Sequence, residues 1–82
     1  MMMTPARKEP DAKTYQGRCA IHLKKLREQA QLTPEQVAQA VGVSIRTIYH
    51  WEAAKRDIPL SMLPILSEIF ELESPRLVLA EK

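Results

Sequence analysis

Apolar residues recur along this chain at helical spacing and almost nowhere in the strict alternation that a strand requires. Cys19, Leu23, Leu26 and Ala30 fall at i, i+4, i+7 and i+11, which predicts a first helix from about Gly17 to Gln31. Lys24, Lys25 and Glu28 lie off that stripe, and Cys19 within it reads as a small buried hydrophobe. Thr33-Pro34-Glu35-Gln36 is a capping box, with Thr33 as N-cap, proline at the first helical position and Gln36 reaching back. It opens a second helix whose inner face is Val37, Ala38 and Val41, with Leu32 placed to staple onto Val37. Gly42 ends that helix, because a residue without Cβ takes the left-handed conformation of a sharp turn at little cost. Ser44 then caps a third helix, Ile45 to Ala53. One side of it carries Ile48, Trp51 and Glu52, and the other Arg46, Tyr49, His50 and Ala53.

Beyond a loop at residues 54–60, a fourth helix is expected from Ser61 to about Glu71, with Pro64 in its first turn and Leu63, Leu66, Ile69 and Phe70 inward. Ser74-Pro75 repeats the cap-plus-proline signal for a short fifth helix, and Arg76–Ala80 is the one candidate strand. Residues 1–16 hold two prolines, mixed charge and no apolar period, and read as a flexible tail ahead of a domain at 17–82. Eighty-two residues suffice for one small domain, and two glycines argue against a turn-dense β fold, so the expected class is all-α with four to five helices.

Composition then removes several functions. No apolar run approaches a membrane span, Met1–Gly17 has no secretory h-region, and a single cysteine fits a reducing cytoplasm. One cysteine with His22 and His50 makes no zinc site, and no cofactor is expected. There is no Gly-rich phosphate loop, no nucleophile paired with a base and no carboxylate pair set in a cleft, so no enzyme is expected. Charge is uneven: residues 1–56 carry ten Lys/Arg against five acids, and residues 57–82 carry two against five. That asymmetry points to one basic face for a polyanion and leaves the acidic end for another contact.

Two short helices joined by Gly42-Val43-Ser44 form the helix-turn-helix arrangement. VAQAVGVSIRTIYHWEAAKR resembles the core of the Cro/CI-type (XRE) bacterial and phage regulators. LKKLREQAQLTPEQ resembles that family's first helix and second-helix entry, and MLPILSEIFEL its fourth helix, so the likeness spans about residues 18–79. The resemblance implies a compact, lambda-repressor-like DNA-binding domain. Arg27 and Glu52 match positions where the family often pairs an arginine with a carboxylate across helices 1 and 3. Ser44, Ile45, Arg46, Thr47 and His50 match its base-reading and groove-lining positions. Thr33 and Pro34 match the phosphate-facing start of helix 2; proline has no N–H, so that contact falls to Thr33, Glu35 and Gln36, with Glu35 expected to turn aside, and Lys55 and Arg56 match the basic loop that grips the backbone. Ala53-Ala54 replace a polar residue and glycine, which favours a slightly longer helix 3, and Gln31 and Glu71 stand where glycine is common.

Residue chemistry supports the same roles. Arg46 suits guanine O6 and N7, and Tyr49 has a hydroxyl for phosphate. Ile45 either touches a thymine methyl or flanks the core. Leu77, Val78 and Leu79 either make a dimer contact or cover the core of their own chain; the first option predicts that removing residues 74–82 leaves a folded monomer. The expected function is a sequence-specific regulator, a repressor, acting as a homodimer on a pseudo-palindromic operator in the cytoplasm of a bacterium or phage-infected cell. The alternative is a protein-interaction module, such as the antitoxin of a toxin–antitoxin pair, with a toxin or antirepressor as partner.

Overall fold

The computed structural model describes residues 10–80; most of the expected tail, residues 1–9, and the last two residues lie outside that range. The fold is all-helical: α1 (Tyr15–Gln29), α2 (Pro34–Val41), α3 (Ile45–Glu52) and α4 (Leu63–Ile69). A 3₁₀ turn, Leu60–Met62, leads into α4, and a second, Pro75–Val78, follows it.

α1 begins two residues earlier than the stripe alone predicts. Thr14 is its N-cap, and its hydroxyl accepts the Gly17 N–H at 2.9 Å. The same hydroxyl donates to the Asp11 carbonyl at 3.1 Å, which folds residues 11–14 onto the helix start. Gly17 permits this approach: a Cβ there would stand 1.8 Å from the Asp11 carbonyl oxygen. α2 forms by its capping box, with Thr33 N–H donating to Gln36 Oε1 at 2.8 Å and Gln36 N–H to Thr33 Oγ1 at 3.1 Å.

One core collects Leu23 and Leu26 from α1, Val37, Ala38 and Val41 from α2, Ile48 and Trp51 from α3, and Leu63, Leu66 and Phe70 around α4. Val78 of the last turn joins it and is wholly buried. The C-terminal turn packs on α4 and α1, and the His22 ring Nε2 lies 2.9 Å from the Leu77 carbonyl. Residues 74–80 are thus part of the fold. Their packing argues against the expectation that the chain folds without them, because removal opens the core at Val78.

No strand occurs among the described residues. Arg76–Ala80 instead spends its polar backbone groups locally: Leu77 N–H donates to the Ser74 carbonyl at 3.0 Å, and Leu79 N–H to that of Arg76 at 3.1 Å. The start of α4 is likewise corrected. Residues 60–62 close as a 3₁₀ turn, Met62 N–H bonding the Pro59 carbonyl at 3.0 Å, and regular helix begins at Leu63.

All four α-helices among the described residues end in one way, with a left-handed residue followed by a bond back across the last turn. Gly42 does this in α2 with φ 89°. The other ends use Gln31 (φ 60°), Ala54 (φ 61°) and Glu71 (φ 58°), with Leu32, Lys55 and Leu72 donating to the carbonyls of Arg27, His50 and Ser67. Helix 3 therefore does not run on past its missing glycine. It stops at Glu52, and Ala54 accepts an unfavourable φ because the loop beyond must bring Ile58 back to the core. The left-handed conformation costs a residue with Cβ about 1–2 kcal/mol. Glycine substitution relieves that cost but loosens the unfolded chain. Gln31→Gly, Ala54→Gly and Glu71→Gly are each expected to raise stability by about 0.5–1 kcal/mol, or a few degrees in Tm by calorimetry. A fall in Tm in all three variants would contradict this account of the helix ends.

Candidate nucleic-acid interface

α3 divides sharply by burial. Ile48 and Trp51 are 1% and 3% exposed, whereas Arg46 is open to solvent and Tyr49 is 49% exposed. His50 follows Arg46 by one turn and is half-buried. Ser44 caps the helix, its hydroxyl accepting Thr47 N–H at 3.2 Å and lying 3.0 Å from the Thr47 hydroxyl. Either hydroxyl can donate in that contact, and backbone N–H groups also point outward at this helix N-terminus. Ile45 settles toward the core: it is half-buried and packs against the central cluster.

α2 contributes its N-terminus. Thr33 and Gln36 are exposed, each with its side chain engaged in the capping box. Glu35 lines a shallow notch between α2 and α3 together with Gln39, Val43 and Ile45. Gln39 was not singled out by the sequence. It stands one turn after Glu35 on the polar side of α2, and only the placement of α3 shows that it borders the same notch.

The basic loop is anchored to the end of α3. Lys55 N–H donates to the His50 carbonyl at 2.9 Å, and Arg56 N–H points at the same oxygen at 3.4 Å. Both side chains remain exposed. On the other side of the loop, Gln16 Nε2 donates to Asp57 Oδ1 at 2.6 Å, tying it to α1.

One buried ion pair fixes the angle at which α3 is presented. Arg27 Nε donates to Glu52 Oε2 at 2.6 Å and Nη2 to Oε1 at 3.1 Å, a two-pronged pair. Its third nitrogen, Nη1, donates to the Leu32 carbonyl at 2.8 Å. One guanidinium thus ties α1 to the end of α3 and to the turn before α2. The bond to Glu52 pushes the Arg27 pKa further up.

The three residues expected at a dimer contact separate. Val78 is buried in its own chain, Leu79 packs against that core, and Leu77 alone stands out, 41% exposed. Among the described residues no cluster of side chains has the makings of a metal site, and no helix is long and apolar enough to cross a membrane.

A short capped helix held on a second one, with its polar face outward and basic residues at its far end, is the helix-turn-helix unit of a DNA-binding regulator. A family model described as helix-turn-helix matches residues 23–77, and the chain belongs to that family, in its XRE branch of DNA-binding transcriptional regulators. No curated protein matches the chain. A crystal structure of a hypothetical transcription factor, NHTF, from Neisseria shares the fold with a TM-score of 0.73. It is 16% identical, over 96% of this chain and 90% of that one.

Proposed function

We propose that this protein is a sequence-specific repressor that binds a pseudo-palindromic operator as a homodimer, with α3 in the major groove. The observation that carries this reading is the outward side of α3. Arg46, Tyr49 and His50 share it, the α2 N-terminus flanks it, and Lys55 and Arg56 follow it. Arg46 reads a base edge, with Ser44, Thr47 and His50 beside it; Ile45 lines the groove from the core edge. Thr33, Gln36, Tyr49, Lys55 and Arg56 meet phosphate. A single unit of this size covers few base pairs, and two related by a two-fold axis double the read sequence.

Reading and gripping separate experimentally. Arg46→Ala is expected to cost about 1–3 kcal/mol on the preferred site and to relax one base position. Lys55→Ala is expected to weaken binding to every sequence alike and to flatten the salt dependence by about one unit of slope. Arg46 and Lys55 are exposed, so both variants fold. Binding isotherms on an operator selected from random DNA and on scrambled duplexes, across a salt series, decide the matter. If none of the proteins binds DNA at low salt, the protein-interaction module replaces this reading.

A further inference from the structure

The shallow notch between α2 and α3 has two unlike sides. Val43, in the turn, and Ile45, at the start of α3, are half-buried and pack against the core, which gives the notch a fixed apolar side. Glu35 lines the notch from α2. It is exposed, and among the described residues its carboxylate takes part in no hydrogen bond or ion pair. Thr33 and Gln36 beside it are committed to the capping box, and Glu35 is not. A carboxylate only accepts hydrogen bonds, so next to DNA it is repelled by phosphate and satisfied by a donor on a base. The notch lies at the N-terminal end of α3, the end from which a recognition helix reaches base edges.

We propose that this notch reads one base of the operator and that the base is 5-methylcytosine. The inference rests on the DNA-binding function proposed above and names a specificity within it. In the major groove cytosine presents a donor, its N4 amine, with no acceptor beside it. The adenine amine adjoins N7, guanine presents O6 and N7, and thymine presents O4, all of them acceptors that a carboxylate repels. Glu35 therefore selects cytosine. The next ring atom along that edge is C5, and a methyl group there meets Val43 and Ile45, as apolar side chains meet the thymine methyl elsewhere. Thymine carries that methyl but is refused at O4. An amine and a methyl on adjacent ring atoms occur together in 5-methylcytosine and in none of the four ordinary bases.

The test uses the full chain and an operator selected from random duplex DNA. Each cytosine of that operator is replaced in turn by 5-methylcytosine and by thymine, with its partner base matched. Binding isotherms are expected to single out one cytosine in each half-site. Methylation there tightens binding about fourfold, and thymine weakens it about tenfold. In Glu35→Gln the preferred base at that position is expected to change to adenine, because a carboxamide bonds adenine N6 and N7 together. Glu35 is exposed and outside the capping box, so the variant folds, and its thermal melt checks this. Methylation that tightens binding at no cytosine overturns the assignment. So does a Glu35→Gln variant that keeps the wild-type preference at every position. Thymine bound as well as 5-methylcytosine also overturns it, by showing a methyl read without Glu35. If the chain still prefers its operator in those cases, the DNA-binding reading stands and the notch alone fails. If the chain binds no DNA at low salt, both fail.

Discussion

Arg27→Met is expected to destabilise the domain by about 3–5 kcal/mol, a large part of the stability of a chain this size. The substitution strips the Glu52 side chain, 9% exposed beside Arg27, of both its guanidinium bonds. Glu52→Leu is expected to cost less, because the arginine keeps its bond to the Leu32 carbonyl. The double variant, Arg27→Met with Glu52→Leu, removes both charges and is expected to recover much of the loss. Recovery falls short by about 1 kcal/mol, the value of the Leu32 hydrogen bond that methionine cannot make. Chemical denaturation of the wild type, two single variants and the double variant checks this. Additive costs would show that the two side chains do not interact.

Ending the chain after Glu73 is expected to abolish cooperative folding at 25 °C. The truncation deletes Val78 from the core, removes Leu79 and uncovers the α1 and α4 surfaces under the last turn. Val78→Ala isolates the packing part and is expected to cost about 2 kcal/mol. Leu77→Glu tests a different property of the same turn. Its side chain faces solvent, so the monomer stays folded while a dimer built on Leu77 dissociates. Thermal melts followed by circular dichroism read the first two variants, and sedimentation reads the third. A truncated chain that melts cooperatively would refute the placement of Val78 as a core residue. A Leu77→Glu variant that sediments as a dimer would move the interface elsewhere.

Local chemistry made much of this fold legible from residues alone. The Thr33–Gln36 capping box, the Gly42 turn and the Ser44 cap each involve groups within a few positions of one another, so their signal is contained in a short window. The stripe Cys19, Leu23, Leu26, Ala30 was legible for the same reason. The 25 positions between Arg27 and Glu52 exceed any such window, and only the family likeness brought the two together. The bond from Arg27 to Leu32 had no sequence signal at all. Nor did the left-handed turns at Gln31, Ala54 and Glu71, whose side chains argue against the conformation they adopt. There the demands of the core outweigh local preference. The C-terminal turn misled for a related reason: Leu77-Val78-Leu79 looks alike at each position, and only packing decides that Val78 goes inward and Leu77 outward.

α3 is eight residues long, about 12 Å, and a helix of that length barely persists alone in water. It is held by Ile48 and Trp51 on its inner side and by one guanidinium that also holds α1 and the turn before α2. Partial opening at that end would strand a buried charge, so the helix has no inexpensive way to fray by itself. Its amide hydrogens are accordingly expected to exchange with solvent only as often as the whole domain opens, in step with those of α1. On the proposed function, the segment that meets DNA then arrives already ordered, and little of the binding energy goes into organising it.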